Sequence, residues 1–402
     1  MLQFMDYVQT AFYARSKWNV DNSYSSLTST TAGLLDFSIP HGIRFHVSSL
    51  STPAFATSYT LGVRGLVDGN LSFLYSNIAL HAPSRSGTID LQRLVRGYRQ
   101  LHHLGLPPAS ALRADDDDGK GAQDARRKDT LLYGRLYLPA STLEALYLRR
   151  ISPTRLLRLA SVSDSNLPNG GSLLAVLQND HGKYSTEYLY STDSSLLGFR
   201  TLYNFGYDPR KPNPSSPDDA PSPRPRHPWD TQHARLSAGA EAYFSPLNKT
   251  GGLSTGLRFA TLPVHTGSPY TMTLTLNPLM GNLSSAYAAQ AGPNLALCSR
   301  FDFNVYSYES DVSLGLELWR RRAPSADVAW ARELLRPELG WGAPREEDVE
   351  GVLKARVTDK GKVGVLWECR AKELLVTLGA GFDLRRSERM LSIVGLEVAF
   401  SS

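Results

Sequence analysis

The chain has 402 residues, with 43 Lys and Arg against 38 Asp and Glu and a formal charge of +5. Two cysteines, Cys298 and Cys369, are too few for a disulfide-stapled secreted fold, and 10% aromatic residues are too many for a disordered chain. No apolar run approaches the ~20 residues that a spanning helix needs, which excludes a helical membrane protein.

The chain opens without a basic n-region or a cleavage site, so no secretory signal is expected, and Asp6 with no Arg before Arg15 argues against a presequence. Leu2, Met5, Val8 and Phe12 fall on one face at helical spacing, which predicts a short helical segment within 1–20. After Ser23 the period changes to 2. Ile43, Phe45 and Val47 alternate with Arg44, His46 and Ser48, and the pattern recurs over Phe55–Val63 and Leu71–Tyr75. It returns at Tyr270–Leu276, Val312–Leu318, Val363–Cys369, Leu374–Phe382 and Val394–Phe400. Turn clusters such as Asn277-Pro278, Gly292-Pro293 and Asp359-Lys360-Gly361 separate these runs. Strand and turn signals together give roughly nineteen strands.

Helices are few. Beyond the N-terminus the candidates are Asp90–Leu104 and Asp327–Leu335. Three segments break the alternation. Residues 78–129 carry Asp115–Asp118, residues 207–231 are rich in proline, and residues 320–350 are charged with Trp330 and Trp341. The first two read as mobile spacers. No internal repeat is visible, so neither a propeller nor a solenoid is expected.

Many short antiparallel strands resolve into sandwiches, propellers or barrels. Ten-residue strands with one continuous apolar face fit a membrane barrel, in which closure gives every backbone group a partner. Aromatic residues crowd the strand ends at Tyr133 and Tyr137, Tyr184, Tyr188 and Tyr190, Tyr203 and Phe205, Tyr243 and Phe244, and Phe301 and Phe303. Interfacial girdles have this composition. Alternation alone also fits a large soluble β protein.

Little in the sequence points to catalysis. No metal-ligand spacing, P-loop or dinucleotide fingerprint occurs, and no cofactor is expected. The adjacent His102 and His103 do not face each other on a helix. Gly252-Leu-Ser254-Thr-Gly256 matches G-x-S-x-G, but a nucleophile elbow needs a sharp strand-to-helix turn. The residues that follow, Leu257–Leu262, carry no helical start, so glycine within a strand is the better account. Asp115–Asp118 reads as a solvated run rather than a cation site. The basic clusters at Arg149-Arg150, Arg320–Arg322 and Arg385-Arg386 form no stripe for nucleic acid and suit phospholipid headgroups better.

Several blocks together carry a family resemblance. They are MLQFMDYVQTAFY at the N-terminus, NSYSSLTSTTAGLLDFSIPHGI after it, Gly69–Ser76, Leu132–Pro139, Thr273–Gly281 and Phe301–Glu309. In these the chain resembles the fungal mitochondrial distribution and morphology protein 10 family. The resemblance implies an all-β transmembrane barrel of the mitochondrial porin type, a single domain over 1–402 in the outer membrane. It implies nineteen strands, a parallel pairing of the first with the last, and the N-terminal segment inside the lumen. It further implies two sets of partners. One is the endoplasmic reticulum–mitochondria encounter structure, which tethers the organelles and supports phospholipid exchange. The other is the sorting and assembly machinery with its central barrel, which builds outer-membrane barrels and helps assemble the import translocase around its receptor subunit.

The family's terminal β-signal is matched by Gly395, Val398 and Phe400, while its polar position falls on Ile393. An aromatic pair in an early strand falls on Phe73 and Tyr75, which alternate onto one face; if that face is outward it would either dock a partner or contact lipid. Tyr287 is a further candidate for a partner contact. The functional expectation is a non-enzymatic adaptor. The alternatives are a porin-type channel and, last, a soluble β enzyme using Ser254.

Overall fold

The structure is a computed structural model that describes residues 1–63, 67–80, 82–101, 128–165, 167, 169–205, 234–263, 265, 267–321, 349–385 and 391–402. Asp115–Asp118, His102-His103, the 207–231 segment and the candidate helix Asp327–Leu335 lie outside the described residues.

The period-2 runs become strands β1 (Gly42–Thr52), β2 (Phe55–Val63), β3 (Val67–Ser76), β4 (Thr130–Leu138) and β5 (Leu143–Ser152). The meander continues through β6 (Arg155–Ser163), β7 (Gly171–Asp180), β8 (Tyr184–Ser191), β9 (Leu196–Phe205) and β10 (Ala234–Ser245). Next come β11 (Thr250–Thr261), β12 (Tyr270–Asn277), β13 (Asn282–Gly292), β14 (Leu295–Asn304) and β15 (Ser310–Arg321). The last are β16 (Val349–Thr358), β17 (Lys362–Ala371), β18 (Leu374–Asp383) and β19 (Leu391–Ser401). Among the described residues these nineteen strands form one sheet in which each antiparallel neighbour pairs in chain order. The sheet closes where β1 runs parallel to β19, over seven register pairs from Gly42↔Gly395 to Ser48↔Ser401. An odd number of up-and-down strands leaves the first and last pointing the same way, so closure has to be parallel. It removes both exposed edges.

Alternation sorts the side chains by face. Outward positions along the seam are Ile43, Phe45 and Val47 beside Leu396, Val398 and Phe400. Inward positions carry Ser, Thr, Gly and paired charges, such as Arg44 with Glu397 at 3.8 Å. Tyr184, Tyr188, Tyr190, Tyr203, Phe205, Phe244 and Phe301 are exposed on the outer wall. The girdle reading fails for Tyr133, Tyr137 and Tyr243. Tyr133 packs against the lumenal core, and Arg135 lies between Tyr133 and Tyr137, 5.5 and 5.8 Å from their ring centres. Tyr243 lies inward on Glu241 and Arg200, accepting from Arg200 Nε at 2.7 Å and donating to Glu241 Oε2 at 2.9 Å. Being near a strand end does not say which face a residue takes; its parity does.

The core sits in the lumen. Helix α1 (Phe4–Arg15) forms where Met5, Val8 and Phe12 repeat on one face, with Asp6 in its first turn and Arg15 in its last complementing the helix dipole. That face is buried against Ala56, Leu74, Leu131 and Leu148 on the inner wall. Beyond α1 the chain circles the inner wall in strand order. Arg150 on β5 donates to the Ser16 carbonyl, and Asn22 Nδ2 donates to Asp180 Oδ1 (2.6 Å) at the end of β7. Ser23 Oγ donates to Glu187 Oε1 on β8 (2.6 Å). Tyr24 and Ser254 share a hydrogen bond of 2.9 Å, and Arg258 Nη1 donates to the Ser26 carbonyl (3.1 Å), both reaching β11.

Helix α2 (Ser29–Leu35) then sets Leu34 and Leu35 on Ala288, Ala296 and Cys298. Asp36 pairs with Arg300 at 2.9 Å, and Arg356 lies over the Phe37 ring. Ile39 and Pro40 reach β17–β19, and the chain turns into β1 at Gly42, whose φ of 72° is one that glycine adopts without steric cost. This lumenal strap accounts for the helical spacing at the N-terminus.

A second segment also lies inside. Leu80, Ile89, Leu91, Leu94 and Val95 are buried with α1, and Leu2 N donates to the Leu94 carbonyl (2.6 Å). The described part of 78–129 is therefore packed, not a mobile spacer. Of the Asp90–Leu104 expectation, residues 102–104 lie outside the described residues, and 90–101 hold one turn, α3 (Leu91–Leu94), beyond which the Arg96 carbonyl and Tyr98 N bond to Lys354 and Glu317 of the wall. Glu317 and Lys354 are 0% and 2% exposed and 3.8 Å apart; Trp319 Nε1 donates to Glu317 Oε1, and Lys354 donates to the Arg96 carbonyl. No described helix is long and apolar enough to cross a membrane, which says nothing about strands.

The connections β3–β4, β9–β10 and β15–β16 all leave from one rim. They contain the three long segments. The opposite rim, where β1 begins, carries only short turns among the described residues.

Candidate functional site

Phe73 and Tyr75 stand on the outer face of β3, 41% and 49% exposed, while Ser72, Leu74 and Ser76 between and beside them are buried inward. Alternation forces this, since Leu74 is taken by the lumenal core. Phe55 lies opposite Tyr75 in register, and its ring stacks on Phe73 at 6.2 Å. The three rings form an apolar ridge. On its other side Phe73 faces Gly134, which pairs with Ala145, which pairs with Ser161. Three small residues in one row across β4, β5 and β6 leave the wall low beside the ridge. Sequence reasoning missed this step; the sign was a glycine inside the Leu132–Pro139 block. A ridge beside a shallow trough is a shape that a partner surface can grip, and desolvated aromatic residues are the usual anchors of such contacts.

Tyr287 is also outward, 43% exposed, at the middle of β13. It lies opposite Met272 and Ser299, and its ring is 6.1 Å from Tyr270, which stacks on Phe259 at 5.8 Å. Nine strands lie between β3 and β13 one way round the ring of nineteen and eight the other, so Tyr287 and the Phe73–Tyr75 pair occupy opposite sides of the barrel. The structure does not bring these candidates together. They are two separate outer surfaces.

The candidate β-signal divides between the faces of β19. Val398 and Phe400 point outward beside Phe45 and Val47, whereas Gly395 is buried and faces the lumen. A Cβ on Gly395 would meet the Pro40 carbonyl and lie 2.7 Å from His41 N. On Gly379 it would meet Pro40 Cδ at 2.5 Å, and on Gly364 and Gly381 it would meet Ile39 Cδ1 at 3.1 and 3.2 Å. Four inward glycines on β17, β18 and β19 thus form the seat over which the strap passes before it enters β1. Ile393, at the polar position of the signal, faces Gly381 across the β18–β19 pair.

Ser254 lies inside a regular strand, with Tyr24 as its hydrogen-bond partner and Glu241 opposite in register. There is no strand-to-helix turn to raise its hydroxyl, so the geometry of a nucleophile elbow is missing.

Comparison with known proteins decides the family. The sequence profile described as mitochondrial distribution and morphology protein 10 matches residues 1–337 and 341–402. The chain belongs to the mitochondrial distribution and morphology protein 10 family. It is 57% identical over 405 residues to the protein of that name from Phaeosphaeria nodorum, covering all of both chains. It is 55% identical over 415 residues to the one from Sclerotinia sclerotiorum and 42% over 454 residues to the one from Podospora anserina, again over the full length of each. The resemblance drawn from the N-terminal and strand blocks is borne out over nearly the whole length, as is the nineteen-strand barrel. The chain is thus a mitochondrial protein of a morphology and distribution family, which is not a known enzyme family.

Proposed function

We propose that the protein is a non-enzymatic adaptor of the mitochondrial outer membrane. In this reading it is a subunit of the endoplasmic reticulum–mitochondria encounter structure, serving organelle tethering, phospholipid exchange and mitochondrial morphology and inheritance. It is also a subunit of the sorting and assembly machinery, alongside the central barrel of that complex, and contributes to assembly of the import translocase through its receptor subunit. The observation that carries the reading is the outward ridge of Phe55, Phe73 and Tyr75 beside the low row of Gly134, Ala145 and Ser161. Tyr287, on the opposite side, supplies a second surface, so two partners can be held at once. The apolar outer wall supports a membrane location, with phospholipid filling the wall that partners leave free.

The strap favours an adaptor over a porin-type channel. Conduction needs a wide, polar, open lumen. Residues 1–41 and the described part of 77–101 run through this one, with 1–41 bonded to inward side chains of β5, β8, β11, β14 and β16.

The test is affinity purification from mitochondria in mild detergent, comparing wild type with the double substitution Phe73→Ala and Tyr75→Ala. Wild type is expected to carry both sets of subunits and the double variant to lose one. If wild type retrieves neither set, the adaptor reading fails. Steady conductance in a planar bilayer would then put the channel first.

A further inference from the structure

Three neighbouring hairpins at the rim where β1 begins differ from those across the rim. The tips of β10–β11, β12–β13 and β14–β15 expose Leu247, Leu279, Met280, Val305, Tyr306 and Tyr308, the last at 80%. On the other side of the same rim the tips of β4–β5 and β8–β9 are small or polar, with Ser141 and with Asp193-Ser194-Ser195.

These apolar tips are braced internally. Met280 N donates to Asn277 Oδ1 (3.0 Å), and Tyr306 N and Ser307 N donate to Asn304 Oδ1 (2.9 and 3.0 Å). Asn304 Nδ2 donates to the Met280 carbonyl (3.2 Å) and to Asn282 Oδ1 (2.7 Å), and Tyr306 OH donates to the Pro278 carbonyl (2.8 Å). In the β12–β13 and β14–β15 turns these polar groups are met by asparagine side chains and backbone, and at the β10–β11 tip Asn248 N donates to Ser245 Oγ (3.2 Å); groups so paired need less water. Below the tips the apolar wall runs on without a break through Leu276, Leu283 and Phe303. Asp302 and Asp311 take inward positions, paired with Arg300 (3.1 Å) and Lys360 (3.3 Å), which leaves Lys249 and Glu309 as the exposed charges of the three tips.

We propose that these three tips are seated in the headgroup–acyl boundary of a phospholipid bilayer, so that the barrel sits deeper in the membrane on the β10–β15 side than on the β4–β9 side. Apolar and tyrosine side chains on internally braced turns suit that layer. The inference rests on the membrane-spanning reading above.

The test uses the full chain with Cys298→Ala and Cys369→Ala, carrying Met280→Cys or Ser141→Cys with an environment-sensitive dye. Each is reconstituted into phosphatidylcholine vesicles with or without lipid spin-labelled near the headgroup. The dye at 280 is expected to shift to the blue and to be quenched by the spin-labelled lipid, while the dye at 141 does neither. Equal emission and quenching at the two sites would overturn the proposal. So would a blue shift at 280 that appears only after proteins extracted from a mitochondrial outer membrane are added, since the tips would then face protein. If the chain does not float with the vesicles at all, the spanning reading itself has failed.

Discussion

Replacing Gly395 by alanine puts a methyl group where the backbone of the strap already lies. The added carbon would meet the Pro40 carbonyl and come within 2.7 Å of His41 N. Both are main-chain atoms with little room to slide along the wall, because Pro40 and Ile39 also rest on Gly379, the register partner of Gly395 on β18. Overpacking of this kind costs about 1–3 kcal/mol, and the upper part of that range applies where backbone has to move. Gly42↔Gly395 is the first of the seven seam pairs, so a strap lifted off Gly395 also loosens the closing register. Gly292→Ala serves as the control, because nothing lies within 4 Å of the point its methyl group would occupy. The assay is denaturant unfolding of protein refolded into detergent micelles, followed by the fluorescence of its six tryptophans. Gly395→Ala is expected to lower stability by about 2 kcal/mol, and Gly292→Ala to stay within about 0.5 kcal/mol of wild type. Refolding in the absence of any assembly machinery separates the fold from recognition of the β-signal. If Gly395→Ala unfolds with wild type in micelles and yet fails to assemble in mitochondria, the glycine serves recognition and the strap argument is wrong.

Phe12→Ala removes a fully buried ring between α1 and the inner wall and is expected to cost about 3–5 kcal/mol in the same unfolding assay. Lys354→Met leaves Glu317 buried without its cation, with an expected loss of about 3–5 kcal/mol; pairing it with Glu317→Gln should recover much of that, and a double-mutant cycle measures how much. Ser254→Ala gives up the hydrogen bond to Tyr24, about 0.5–1.5 kcal/mol, and should leave ester hydrolysis by the purified protein at the background of buffer alone. Phe73→Ala with Tyr75→Ala changes only outward side chains, so its unfolding midpoint should move far less than that of Phe12→Ala even where partner recovery is lost.

Alternation at period 2 is a property of each strand alone, so Phe45, Phe73, Tyr75, Val398 and Phe400 could be assigned to one face of their strands from the sequence, and the family blocks pointed to the barrel. Parity also carried the information that Tyr133, Tyr137 and Tyr243 face inward, but only once the neighbouring strands said which parity was the lumen. The helical face of Met5, Val8 and Phe12 was legible too; what it packs on was not. Everything that depends on pairings distant in the chain came from the tertiary structure. It placed Tyr287 on the far side of the barrel from Phe73, set Gly134, Ala145 and Ser161 in one row, and led residues 1–41 around the inner wall to the glycines of β17–β19. The segment 78–101 shows the same division: its composition suggested a spacer, yet its leucines are buried because the lumen offers them an apolar wall. A sequence determines which residues can share a face, because that follows from local backbone geometry. Which face meets water, lipid or the strap is decided only when the ring closes, because closure brings residues more than 350 positions apart into register.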